Sequence, residues 1–199
     1  WARLMKREFD PKDSRSLSLR THSQTSGWSL AAQDVFNNVA RTCVEAMAAV
    51  NGQTQSLHTN SLDEALALPT EKSVQIALRT QQVIAYESGV ADVIDPLGGS
   101  YYLEAVTNRI EAEAYDYFRR IEELGGMVEA IKQNFPQREI AEASWRYQTE
   151  VEDGRRLIVG VNTHEQADEV PLEILRIDPD LERKQIGRLQ ATRARRDSA

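Results

Sequence analysis

His22, Ser23 and Gln24 follow the alternating run Ser16-Leu17-Ser18-Leu19, and Gln55, Ser56, His58 and Asn60 crowd a second alternating run. A third run, Asp92 to Asp95, passes into the turn Gly98-Gly99. Hydrolysis by a His22–Ser23 pair is disfavoured, because adjacent strand residues point to opposite faces and cannot meet. A metal site on His22 and His58 lacks cysteine or carboxylate partners at ligand spacing, so no metal is expected. What His, Gln, Asn, Ser and Thr share is saturable, mostly uncharged hydrogen bonding. That chemistry suits a carbonyl, an amide or a phosphate on a bound molecule. Glu64 has two readings. Ser61-Leu62-Asp63-Glu64 fits the S-x-x-E capping box, in which the carboxylate folds back on a helix start; otherwise it faces a ligand. Gly27, Gly98 and Gly99 read most simply as turn residues.

Elements must bring these groups together. The pattern predicts a helix ending near Phe9 before Asp10-Pro11, a strand over 16–21, and a helix over 30–50 stopped at Asn51-Gly52. The apolar stripe of that helix is Leu30, Ala31, Val35, Val39, Cys43, Ala46, Met47 and Val50. A second strand is expected over 54–59, a short helical turn over 61–68, and a helix from Pro69-Thr70 to about Gly89. A third strand over 92–95 and a long helix over 103–124 complete the series. Alternating strands and helices imply parallel strands, and ligands of such folds sit at the strands' carboxyl ends. Three units cannot close a barrel, which takes about eight. Either the chain is part of a larger α/β barrel or doubly wound sheet, or its missing strands belong to another chain.

Beyond Gly126 the rhythm changes. Two helices divided at Phe135-Pro136 are expected, then an extended apolar piece, "RLIVGVN", and a second with proline, "EVPLEILRID". A charged terminal helix with an Ile186–Leu189 seam follows. Trp145 and Tyr147 read as helix packing.

The chain has 199 residues and a net charge of −7. That balance argues against nucleic acid and against an anionic membrane surface. No run is long and apolar enough to span a bilayer. The single Cys43 cannot form an internal disulfide, which favours a reducing compartment. The start, "WARLMKREFDPKD", has no signal-peptide core and no Met, and reads as a fragment or a processed piece.

With "SLRTHSQTSGWSLAAQDVFNNVARTCVEAMAA", "GQTQSLHTNSLDEALALPT" and "VIDPLGGSYYLE", the chain resembles the adenosylcobalamin-dependent acyl-CoA mutases, nearest to the methylmalonyl-CoA type. The resemblance covers nearly the whole length and weakens after about Asn134. It implies the last three or so strand–helix units of a (β/α)8 TIM barrel over 1–125. A helical and extended arm over 126–199 would lead towards a cobalamin-binding domain outside this chain.

It further implies adenosylcobalamin as cofactor, an acyl-CoA substrate, and a radical carbon-skeleton rearrangement between methylmalonyl-CoA and succinyl-CoA. The protein's share of that work is to hold the pieces and exclude solvent. By motif, Glu64 and Asn60 resemble residues that hold the ribose of the adenosyl group, so the family use of Glu64 outweighs the cap. Gln24, Gly27, Ala67 and Leu68 look like contacts to the corrin or adenosyl group, and His22, Gln55 and Ser56 like lining for coenzyme A and substrate. Glu64, Asn60 and His22 stand closest to the chemistry.

Cobalt's lower histidine ligand belongs to another domain or subunit, since His164 in "VNTHEQAD" lacks the D-x-H-x-x-G setting. The other barrel half, which carries the residues that choose the acyl group, is also a partner, and the intact enzyme is expected to be oligomeric. Isobutyryl-CoA, ethylmalonyl-CoA and hydroxyisobutyryl-CoA mutases share these motifs; a non-catalytic assembly fragment is the alternative from another class. The cytoplasm is the expected compartment, or the mitochondrial matrix in a eukaryote.

Overall fold

The computed structural model describes residues 1–168 and 171–196. Among these residues the chain forms α1 (Ala2–Phe9), a 3₁₀ turn (Ser14–Leu17), β1 (His22–Gln24), α2 (Asn37–Asn51), β2 (Ser56–His58) and α3 (Glu71–Glu87). A second 3₁₀ turn (Val90–Asp92) leads to α4 (Tyr101–Glu123), α5 (Met127–Lys132), α6 (Phe135–Glu152) and α7 (Asp180–Arg195).

β1 and β2 pair in parallel, with His22 opposite Ser56, Ser23 opposite Leu57 and Gln24 opposite His58. A helix joins the strands, as a parallel pair requires. This small parallel sheet among helices is compatible with part of an α/β barrel.

The first strand starts later than the alternation predicts. Asp13 Oδ1 accepts the Arg15 N–H at 2.9 Å and sets a 3₁₀ turn over Ser14–Leu17. That local bond outcompetes an unpaired extended run. His22, Ser23 and Gln24, expected just beyond the first strand, are themselves that strand. The predicted third strand over 92–95 is not formed. Val93 is extended, but no described neighbour pairs with it, and Asp95 turns to φ 48° before Pro96. An extended segment becomes a strand only with a partner.

Two further corrections concern the segment after residue 126. The break between α5 and α6 lies at Asn134 (φ 57°), and Pro136 sits in the first turn of α6, where a missing N–H costs nothing. The "RLIVGVN" piece is not extended; it folds into a turn closed by a bridge between Val159 and Thr163. Residues 169 and 170, which open the second predicted piece, lie outside the described residues; 171–178 form no regular element.

α2 packs on α3; of the expected apolar stripe, Leu30, Ala31, Val35 and Ala46 are buried and Val39, Cys43, Met47 and Val50 half-buried, and polar residues are buried beside them. α2 begins at Asn37, not near residue 30, and buries Asn38, Thr42 and Ala46. α3 buries Ser73, Ala77, Thr80 and Ile84. Val44 is 71% and Leu78 56% exposed. The inner faces are polar because they serve the backbone of two loops. Asn38 Nδ2 donates to Ala31 O (2.8 Å) and Leu62 O (2.9 Å), while its Oδ1 accepts the Ala31 N–H (3.1 Å). Thr42 Oγ1 donates to Asn60 O, and Thr59 Oγ1 to Ala77 O.

Asn38→Ala would leave a backbone N–H and two carbonyls unpaired in a buried place. The expected loss is about 3 kcal/mol of stability, read from urea unfolding. A loss within about 0.5 kcal/mol would show that this junction does not hold the loops together.

Candidate functional site

The strand register decides which side chains share a face. His22 and Gln24 alternate with Ser23, and Ser56 and His58 with Leu57; Ser23 and Leu57 are half-buried and the other four exposed. Leu57 lines a cleft with Val50 of α2 and Ile84 of α3, so the helices cover its side. The opposite side of the sheet carries His22, Gln24, Ser56 and His58 and is bare. On it, His22 Nδ1 and Ser56 Oγ share a hydrogen bond of 2.7 Å.

Beyond the strands the two loops fasten to each other. Thr25 N–H donates to His58 O (3.1 Å), Asn60 N–H to Thr25 Oγ1 (2.9 Å), and Asn60 Nδ2 to Thr25 O (3.1 Å). Both residues are buried. A Cβ on Gly27 would lie 3.2 Å from Asn60 Nδ2 and 3.7 Å from Glu64 Cγ. Close approach therefore selects glycine here, and it draws Gly27, Asn60 and Glu64 into one group. Glu45 of α2 supports this loop from behind, accepting the Ser26 N–H at 2.6 Å and the Ser29 hydroxyl.

Glu64 is exposed, and no described residue donates a hydrogen bond to its carboxylate. The capping box does not form, and residues 62–66 are turns, not a helix. The structural carboxylate is its neighbour. Asp63 is fully buried, and its Oδ2 accepts from Ser73 Oγ (2.6 Å) and the Thr70 N–H (3.0 Å) at the start of α3. Thr70 caps that helix by accepting the Ser73 N–H. Burial alone would raise the Asp63 pKa, but the hydrogen bonds from Ser73 and Thr70 outweigh it and hold the carboxyl below its ordinary value.

Among the described residues, three buried side-chain atoms in this stretch have no hydrogen-bond partner: Asn60 Oδ1, Ser61 Oγ and Asp63 Oδ1. Folded proteins rarely leave such atoms unpaired away from functional sites. Of the three residues, Ser61 lines a cleft of about 310 Å³ together with His58, Glu64, Pro69, Leu78 and Gln81. Ala67 is half-buried and Leu68 55% exposed on the turn after Glu64.

Gln55 stands apart from the other predicted site residues. Its Oε1 accepts the Thr21 N–H (2.7 Å) and its Nε2 donates to Gln53 O (2.7 Å), both at the amino end of the strand pair. Residue types alone could not find Thr25, Asn38, Glu45 or Asp63, which bond mainly to backbone. One signal was present: Asn38, Thr42 and Ala46 recur every fourth residue, a helix face as regular as the apolar stripe.

Comparison with known proteins follows this geometry. The family model described as methylmalonyl-CoA mutase matches residues 1–199. The chain belongs to that family. It is 51% identical over 200 residues to a methylmalonyl-CoA mutase large subunit of Streptomyces virginiae, covering 100% of this chain and 27% of that protein. It is 50% identical to the large subunit of Propionibacterium freudenreichii subsp. shermanii, with 99% and 27% covered. The mitochondrial methylmalonyl-CoA mutase of Mus musculus is 48% identical, with 100% and 27% covered. The chain thus spans about a quarter of the length of these relatives. Among the described residues no helix is long and apolar enough to cross a membrane.

The depressed Asp63 pKa makes a pH prediction. Its ionised form supports the fold fully above the ordinary carboxylate range, near pH 4, and that support drains away as pH falls towards the lower folded value. Melting temperature should fall as pH drops below the ordinary carboxylate range, and Asp63→Asn should flatten that part of the profile. Identical profiles for the two proteins would show that Asp63 does not carry this dependence.

Proposed function

We propose that this chain is the part of an adenosylcobalamin-dependent methylmalonyl-CoA mutase that seats the adenosyl group and lines the acyl-CoA channel. The reaction is the interconversion of methylmalonyl-CoA and succinyl-CoA. The observation that carries the reading is the convergence of Gly27, Asn60 and Glu64 at the end of a bare strand face holding His22, Gln24 and Ser56.

These residues fit a nucleoside. A carboxylate without a protein donor accepts from ribose hydroxyls, and the unpartnered Asn60 Oδ1 can accept beside it. Gly27 lets the loop backbone approach without a Cβ in the way. Gln24, Ala67 and Leu68 would border the rest of the cofactor, which when bound supplies the radical that starts the rearrangement.

Along the bare face, the His22–Ser56 pair offers hydrogen bonds to the thioester or its coenzyme A. Gln55 contributes by fastening the amino ends of the two strands, which keeps His22 level with Ser56. The set binds, orients and excludes water.

The remaining barrel strands and a cobalamin-binding domain or subunit are the partners in this reading. Exposed apolar side chains such as Val44, Leu78, Ile110 and Phe118 are suited to being covered by them. Residues 1–125 would belong to the barrel and 126–199 to an arm beyond it. The free Cys43 thiol suits a reducing compartment.

The test is Glu64→Ala in the intact protein. Stability should change by less than about 0.5 kcal/mol, since no intramolecular bond is lost. Affinity for adenosylcobalamin should fall by about tenfold or more, the scale of a charge-assisted hydrogen bond. Unfolding of the variant, or unchanged cofactor affinity in a folded one, would overturn the assignment.

A further inference from the structure

The Gly27 loop is gripped from the far part of the chain. Trp28, next to Gly27, meets the ring of Tyr147 in α6 at a centroid distance of 4.5 Å and an interplanar angle of 58°. Tyr147 is itself held. The Arg156 guanidinium lies 4.7 Å from the centre of its ring, and the same guanidinium bonds Glu150 through Nε (3.0 Å) and Nη2 (2.9 Å). The Arg156 N–H also donates to Glu150 O at 2.8 Å, closing the turn after α6.

A second grip lies a few residues on. Arg41 of α2 donates through Nη2 to Val159 O (2.7 Å) and through Nη1 to Asn38 Oδ1 (2.7 Å). Asn38 is the residue that binds the backbones of both site loops. Gly160 is buried at φ 81°, and a Cβ there would come within 2.8 Å of Asp34 Cβ. A side chain at Gly160 is barred twice, by conformation and by space.

We propose that the segment from Tyr147 to Thr163 is a positioning element of the cofactor site, with Tyr147 setting the 25–30 loop through Trp28 and Val159 steadying both loops through Arg41 and Asn38. Neither Tyr147 nor Val159 belongs to the Gly27–Asn60–Glu64 group or to the bare strand face, so both act through other residues. Glu45 holds the loop's backbone at Ser26 and its Ser29 hydroxyl, while the Trp28 side chain, 71% exposed, meets the ring of Tyr147. A misplaced loop carries Gly27 with it, and Gly27 is the member of the group that has no room to spare. This inference rests on the reading of Gly27, Asn60 and Glu64 as the adenosyl site.

The experiment uses the intact protein in three forms, Tyr147→Ala, Tyr147→Phe and Glu64→Ala, with titration of adenosylcobalamin and Trp28 emission as readouts. Trp28 emission is isolated by subtracting the spectrum of a Trp28→Phe protein. Tyr147→Ala should shift that emission in the absence of cofactor and weaken cofactor binding by about tenfold, the scale of one aromatic contact. Tyr147→Phe keeps the ring and should restore both to within about twofold. Cofactor affinity unchanged in Tyr147→Ala but weakened in Glu64→Ala would overturn the positioning role alone. Affinity unchanged in both would overturn the adenosyl-site reading and this proposal with it.

Discussion

One buried amide holds this architecture in place. Asn38 saturates the backbone of Ala31 on one loop and of Leu62 on the other, while Arg41 ties its Oδ1 to Val159. Hydrophobic contact could not do this work, because it has no direction and loops carry backbone groups that must be paired when buried. A side-chain amide can donate and accept at once, so a single residue fixes two chain segments relative to a helix. The fully buried Asn38 is also where rigidity is greatest and loss of a partner most costly.

The strands illustrate the same constraint from the other side. His-Ser-Gln and Ser-Leu-His have little apolar surface to bury, and each strand is three residues long. Their register is kept by polar clasps at both ends: Gln55 on Thr21 before the pair, Thr25 on His58 and Asn60 after it. A slip of one residue would turn His22 and Ser56 to the helix-covered side. Fixing the register is therefore the same act as keeping His22, Gln24, Ser56 and His58 on one exposed face.

Much of this was legible beforehand, and the misses share a cause. The helices ending at Phe9 and opening at Thr70, and the long helix over 101–123, announced themselves through caps, proline and glycine. The motif residues Asn60, Gly27 and Glu64 were identified, and they meet. The strand over 16–21 and the third strand over 92–95 were misread, and the buried Asn38 and Thr42 of α2 went unforeseen, because periodicity reports what a segment could bury, not what partner it finds. In α2 the apolar stripe and the buried polar face are neighbours on the helix.

The division of labour between two adjacent carboxylates is the least legible feature and the most telling. Sequence pattern offered Glu64 a cap on the 61–68 turn as well as a ligand role; the cap does not form, and the buried carboxylate next to it, Asp63, bonds Thr70 and Ser73 at the start of α3. Ser61 Oγ, which the capping box would have engaged, has no partner. A carboxylate spent on the fold cannot also follow a ligand that comes and goes, because breaking its bonds would loosen α3. With Asp63 committed to structure, Glu64 stays exposed beside Gly27 and Asn60, free to exchange water for hydroxyl groups without disturbing the fold. The structure thus separates permanence from exchange across a single peptide bond.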